Sequence, residues 1–195
     1  MKFRIANMIC VVRIVSSFVA AAFLLQMPTA SGKYLALIVM ASSIFLDAVD
    51  GKIARYFGQD DEIGTLADLY ADHIFANAVW VCLASLNLVS VWVPLLTTSR
   101  DLVVDWFRQS QYILSRNGFS QVGESRIGWL CTSRQMRALY GGAKVVAWGL
   151  ILMPFASPLV ITTAIWIAVT LCMVRALPPI THGWHSVLLL PNSRS

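Results

Sequence analysis

Six apolar runs, each about as long as a bilayer is thick, leave this chain few ways to fold. They cover residues 5–27, 34–53, 66–86, 90–114, 139–153 and 159–177, close to the roughly 20 residues a helix needs to cross the hydrocarbon core. Pro28, Pro154 and the Pro178–Pro179 pair close several of them, since proline cannot continue a helix. The fifth run is short, and its helix is expected to start earlier, near Met136. Composition agrees with the runs. Of 195 residues, 57% are hydrophobic and 13% charged, where a soluble domain carries about 25% charged. The mean hydropathy is +0.68. A soluble, disordered, collagenous or disulfide-stapled protein is excluded. The expected fold is all-α, a polytopic bundle of six transmembrane helices forming a single domain over residues 1–195, with no internal repeat. Cys10, Cys82 and Cys172 fall inside apolar runs and Cys131 in a polar stretch, with no CxxC pair. They read as small apolar fillers.

Orientation follows from the cations near the span ends. With the N-terminus inside, one side collects Lys2, Arg4, Lys52, Arg55, Arg116, Arg126, Arg134, Arg137 and Arg194, and the other keeps Lys33. Both termini are therefore expected in the cytoplasm. The protein is read as an integral, multi-pass component of a bacterial-type cytoplasmic membrane. The first run is expected to be a retained span. It is longer than the roughly 7–15 apolar residues of a signal peptide and is interrupted by Arg13.

Acids inside or beside membrane spans are costly and point to function. Four of the ten acids here share one pattern: Asp47-Ala-Val-Asp50-Gly51-Lys-Ile-Ala54-Arg55, then Gly64-Thr-Leu-Ala-Asp68-Leu-Tyr-Ala-Asp72. On a helix, positions 47, 50, 51 and 54 share a face, as do 64, 68 and 72. The loop holding Phe57, Gly58 and Gln59 is short, so the two helices are antiparallel neighbours and their acidic faces meet near the cytoplasmic surface. Four ionised carboxylates crowd a low-dielectric site only when protonated or neutralised by cations. Hard divalent ions suit oxygen ligands, and two of them about 3.5–4 Å apart suit phosphoryl chemistry. Gly51, Ala54 and Gly64 leave room against the helices for a bulky ligand, and Arg55 can fork onto a phosphate. Close helix packing on small residues explains part of this pattern, but not four acids, two glycines and an arginine together.

The string DxxDGxxAR, eight residues, then GxxxDxxxD resembles the signature of the CDP-alcohol phosphotransferases at every position. The resemblance implies that an alcohol attacks the phosphorus of a CDP-linked lipid and releases CMP. It implies that Asp47, Asp50, Asp68 and Asp72 hold two Mg²⁺ or Mn²⁺ ions, and that Asp72 also takes the proton from the acceptor hydroxyl. Gly51 and Ala54 would make space for the nucleotide, with Gly51 and Arg55 contacting the CDP portion. Asn7-Met-Ile-Cys10-Val-Val-Arg13 is similar to the family's N-terminal NxxTxxR stretch, with Cys10 in place of Thr. On that likeness Asn7 and Arg13 are expected near the nucleotide or lipid phosphate.

The acceptor must be read from charges outside the signature. Arg100, Asp101, Asp105 and Arg108 lie along the fourth run. Arg134, Arg137 and Lys144 lie at the start of the fifth, and Arg175 closes the sixth. A basic pocket of this kind suits an alcohol that itself carries a phosphate, such as glycerol 3-phosphate. The stretch Ser99-Arg100-Asp101 to Asp105-Trp-Phe-Arg108 is similar to the corresponding region of phosphatidylglycerophosphate synthases. Those enzymes usually place Lys after the last motif Asp, where this chain has His73. Part of the basic charge also follows from topology and anionic lipid. Inositol, phosphorylated or not, and serine are the rival acceptors. His182-Gly-Trp-His185 has metal-binding spacing, yet with no further ligands it reads as a solvated turn with Trp184 at the interface. The expected partners are CDP-diacylglycerol, a polar alcohol, membrane lipids and a second copy of the chain, with no nucleic acid. From other classes, a small cation translocator does not require the DG, the AR or the second glycine. An aspartate-rich prenyltransferase would need a second acid cluster on a separate helix.

Overall fold

The computed structural model describes residues 5–27, 29–56, 62–115, 134–153 and 156–180. For residues 5–9 and 47–56, and for some helical positions including Arg108, Arg134 and Arg137, it describes the backbone alone. Six helices and no strand occur among the described residues. They are α1 (Ile5–Gln26), α2 (Ala30–Tyr56), α3 (Glu62–Ser85), α4 (Trp92–Ser115), α5 (Arg134–Leu152) and α6 (Pro158–Val174). They form two compact units, Met1–Pro94 and Leu95–Ser195.

In the first unit, α1 packs on both α2 and α3. Its buried face is Arg13, Ser17, Ala20 and Leu24, spaced three and four apart as one face of a helix must be. Ala36, Met40 and Ser43 on α2 and Ala71, Phe75, Ala76, Val79, Trp80 and Leu83 on α3 are buried in the same way. Alanine and serine on these faces let the helix backbones approach closely. The Ser16 and Ser43 hydroxyls pair at 2.9 Å, while α1 and α2 meet again at the Met27–Gly32 turn. The two helices are therefore antiparallel. Arg13 meets Asp68, and Cys82 donates its thiol to the Ala21 carbonyl at 3.7 Å, so α1 and α3 run parallel. A Cβ at position 32 would run into the Met27 carbonyl oxygen, so glycine sets how tightly α1 turns into α2. At the end of α3, Asn87 takes a positive φ of 57°. Leu88 N–H bonds the Leu83 carbonyl at 3.0 Å and Asn87 N–H the Ala84 carbonyl at 2.9 Å. This is a Schellman cap with asparagine at the left-handed position.

In the second unit, Pro158 opens α6 after an extended Ser157, where its missing N–H costs nothing. The short connection from α5 and the contact of Tyr140 with Cys172 make α5 and α6 antiparallel. Ile165, Ala168, Val169 and Cys172 form the buried stripe of α6. Thr97, Arg100, Asp101, Val104 and Phe107 form that of α4.

Among the described residues one helix, Pro158–Ile180, is long and apolar enough to cross a membrane, while Cys10–Gln26, Ala30–Leu46 and Ala138–Leu152 are apolar over shorter lengths. The difference from six full-length runs has a physical cause. Arg13 interrupts α1, the motif acids and cations fill the last third of α2, and Arg100, Asp101, Asp105 and Arg108 run along α4. Cys10, Cys82 and Cys172 are buried and in no disulfide, as small apolar fillers should be. Trp80 and Trp148 are buried, while Trp92, Trp106 and Trp166 face outward.

Candidate active site

The pairings of the first unit bring the motif to one end. Ser43 lies opposite Ser16 and Asp68 opposite Arg13, and one turn beyond Ser43 the α2 backbone reaches Asp47. The helix continues unbroken to Tyr56, so Asp47, Asp50, Gly51 and Ala54 share a helical strip whose side chains lie outside the described residues, as does that of Arg55. Gly64, Asp68 and Asp72 climb α3 one turn at a time.

Asp68 and Asp72 converge on a single cation. Arg13 is 3% exposed, and its Nη1 donates to Asp68 Oδ1 at 2.6 Å. Its Nη2 lies 3.8 Å from Asp72 Oδ1. The two carboxylates are 55% and 48% exposed, each with one oxygen facing a buried guanidinium. The Asp68 contact is a short charge-assisted hydrogen bond, and the Asp72 contact is a longer ion pair. Among the described residues no three His, Cys, Asp or Glu side chains form a metal-binding group. The other two motif acids lie outside that set. Asp68 and Asp72 are hard oxygen donors, a chemistry that suits Mg²⁺ or Mn²⁺ better than a softer ion. His73 is half-buried, and Asn7, His182 and His185 lie outside the described side chains.

The second unit holds a different cluster. Arg100 and Lys144 are 8% and 6% exposed, and Asp101 is buried with them. Arg100 Nη1 donates to Asp101 Oδ1 at 2.8 Å, and Tyr140 and Cys172 lie within its electrostatic reach. The Tyr140 ring carries Lys144 Nζ 4.7 Å from its centre and the Arg175 guanidinium at 5.1 Å, and Lys144 also lies over Trp148 at 5.8 Å. The Tyr140 hydroxyl donates to Cys172 Sγ at 3.3 Å. Two cations, Lys144 and Arg175, are thus gathered on one aromatic ring, each contact contributing about 0.5–2 kcal/mol. The side chains of Arg108, Arg134 and Arg137 lie outside the described residues.

Two features escape a reading of the motif alone. Arg13 is seen to touch two motif acids rather than only a phosphate. The signal was available, since an arginine inside an apolar run needs a counter-charge. Tyr140 as a platform for two cations had no signal beyond its position one turn before Lys144.

The sequence matches the CDP-alcohol phosphatidyltransferase family over residues 3–174. The chain belongs to the CDP-alcohol phosphatidyltransferase family. Proteins called "Probable phosphatidylglycerophosphate synthase" in two strains of Mycobacterium tuberculosis are 30% identical to it over 110 residues. That alignment covers 54% of this chain and 53% of each relative, so the chain spans about half the length of the curated relatives it matches. No solved structure matches the chain. The match to the CDP-alcohol phosphatidyltransferases extends into both units, and its range includes Arg13, the complete acid motif, Arg100, Tyr140 and Lys144, ending one residue before Arg175.

Proposed function

We propose that this protein is a membrane-embedded transferase that moves a phosphatidyl group from CDP-diacylglycerol to a polar alcohol, glycerol 3-phosphate, with release of CMP. The convergence of Asp68 and Asp72 on buried Arg13, at the end of the unit where the α2 acids finish, is the observation that carries this reading. Asp47, Asp50, Asp68 and Asp72 would hold two Mg²⁺ or Mn²⁺ ions, which supply counter-charge to the diphosphate and make CMP a better leaving group.

The acceptor oxygen forms a bond to the lipid-bearing phosphorus, the bond from that phosphorus to the CMP oxygen breaks, and the hydroxyl proton passes to the Asp72 carboxylate. Gly51, Ala54 and Gly64 leave space for the nucleotide and diphosphate, and Arg55 contacts the CDP phosphates. Arg100, Arg108, Arg134, Arg137 and Lys144 bind the phosphate of the acceptor. Burial supports this role for Arg100 and Lys144, because cations held on an aromatic ring and one carboxylate keep positive charge for an incoming dianion. The relatives' name, phosphatidylglycerophosphate synthase, supports the same acceptor.

Membrane residence is supported by the outward faces. Val11, Phe18, Ile38, Phe45, Leu102, Val146 and Leu159 are all exposed, an apolar surface that lipid, not water, would cover. In this reading all six helices cross the bilayer, both termini and the acid motif face the cytoplasm, and two copies associate.

The test is CMP release by the purified chain from CDP-diacylglycerol, against a panel of glycerol 3-phosphate, inositol phosphate, inositol and serine. Glycerol 3-phosphate is expected to give the fastest release, and a chelator to stop it. Faster release with any other member replaces the acceptor. Full turnover in both Asp72→Asn and Asp68→Asn overturns the mechanism.

A further inference from the structure

We propose that Arg13 is a positioning residue for the metal site: its buried guanidinium holds the half-exposed Asp68 and Asp72 carboxylates in position for a divalent ion. The inference rests on the proposed function in taking those two acids as metal ligands. The two terminal nitrogens of one guanidinium reach two carboxylates, at 2.6 and 3.8 Å, and those carboxylates are one helical turn apart on α3. A planar fork spans them, whereas a lysine is a point charge and satisfies one at a time.

The backbone turn that carries Arg13 is itself held. Ser16 donates to the Arg13 carbonyl at 2.7 Å and pairs with Ser43 of α2 at 2.9 Å, one turn before Asp47. The turn of α1 that carries Arg13 is thereby fixed to both helices that supply the four acids. α1 contributes no acid to the site, yet it sets the spacing of those that do. Groups that orient ligating carboxylates typically change metal affinity by about 10–100-fold when removed.

An opposite sign is also physically possible, because Arg13 is a cation near a cation site. Were that repulsion dominant, removing Arg13 would tighten metal binding. The geometry favours orientation, since Arg13 lies on the buried side of the carboxylates and their exposed side is free of it.

The experiment is Mn²⁺ titration of the full chain in detergent, read from the electron paramagnetic resonance signal of free Mn²⁺. It uses wild type, Arg13→Gln and Arg13→Lys, with near-ultraviolet circular dichroism to show that each is folded. The expected result is Mn²⁺ affinity at least tenfold weaker in Arg13→Gln and intermediate in Arg13→Lys. Unchanged or tighter affinity in a folded Arg13→Gln overturns the assignment. Should Arg13→Gln not fold, Arg13→Lys decides: weakening of threefold or more supports the assignment, and wild-type affinity overturns it. Failure of both to fold makes Arg13 a structural residue and also overturns it. A wild-type chain that leaves all Mn²⁺ free overturns the proposed function itself. Equal binding by wild type and Arg13→Gln overturns this assignment alone.

Discussion

Asp72 carries two duties in the proposed chemistry, and one substitution separates them. Asparagine keeps an oxygen that can face a cation but cannot accept the hydroxyl proton. Asp72→Asn is expected to lower CMP release by at least 100-fold, the scale of general-base catalysis, while Mn²⁺ binding measured by titration is only partly weakened. Tyr140 makes a matching prediction at the other cluster. Its ring holds Lys144 and Arg175, so Tyr140→Leu should raise the KM for glycerol 3-phosphate about tenfold, equivalent to about 1.4 kcal/mol. Tyr140→Phe keeps the ring and should keep the KM; steady-state kinetics with varied acceptor reads both. At this scale the sequence was only partly legible. The acids at 47, 50, 68 and 72 announce themselves by spacing. The partners of Arg13 and the stacking on Tyr140 depend on which helix faces which, and that is not written in any single run.

At the scale of elements, apolar runs located the helices well because each helix buries or presents an apolar face along most of its length. The runs at 5–27 and 90–114 correspond to Ile5–Gln26 and Trp92–Ser115. Boundaries shifted where helices continue through polar sequence. α5 begins at Arg134, since Arg, Gln and Met favour helix whether or not lipid surrounds them. α2 continues to Tyr56, carrying the acids on regular helix. Hydropathy is blind to such ends. The turn from α1 to α2 was also invisible, although it rests on one residue. Gly32→Ala places a Cβ against the Met27 carbonyl oxygen, and overpacking of this kind costs about 1–3 kcal/mol. Its expected signature is a lower midpoint of thermal unfolding in detergent, with the mean residue ellipticity of the folded state unchanged.

Across the whole molecule, the sparse charge sorts into three uses. In the proposed reading some cations mark one side of the membrane; Asp68 and Asp72 meet Arg13, and Lys144 and Arg175 lie on Tyr140 with the Arg100–Asp101 pair in the same unit. Each unit thus carries one polar cluster in an otherwise apolar bundle, and the family match runs through both. A small cation translocator would explain the acids without the second cluster; a phosphatidyl transferase with a phosphorylated acceptor uses both. The most direct measurement is CMP release by the purified chain from CDP-diacylglycerol and glycerol 3-phosphate with Mg²⁺ or Mn²⁺ present. The account predicts release that requires both substrates and the metal and that is lost in Asp72→Asn. Release that persists without the alcohol or after chelation, or no release with any alcohol of the panel, would contradict it.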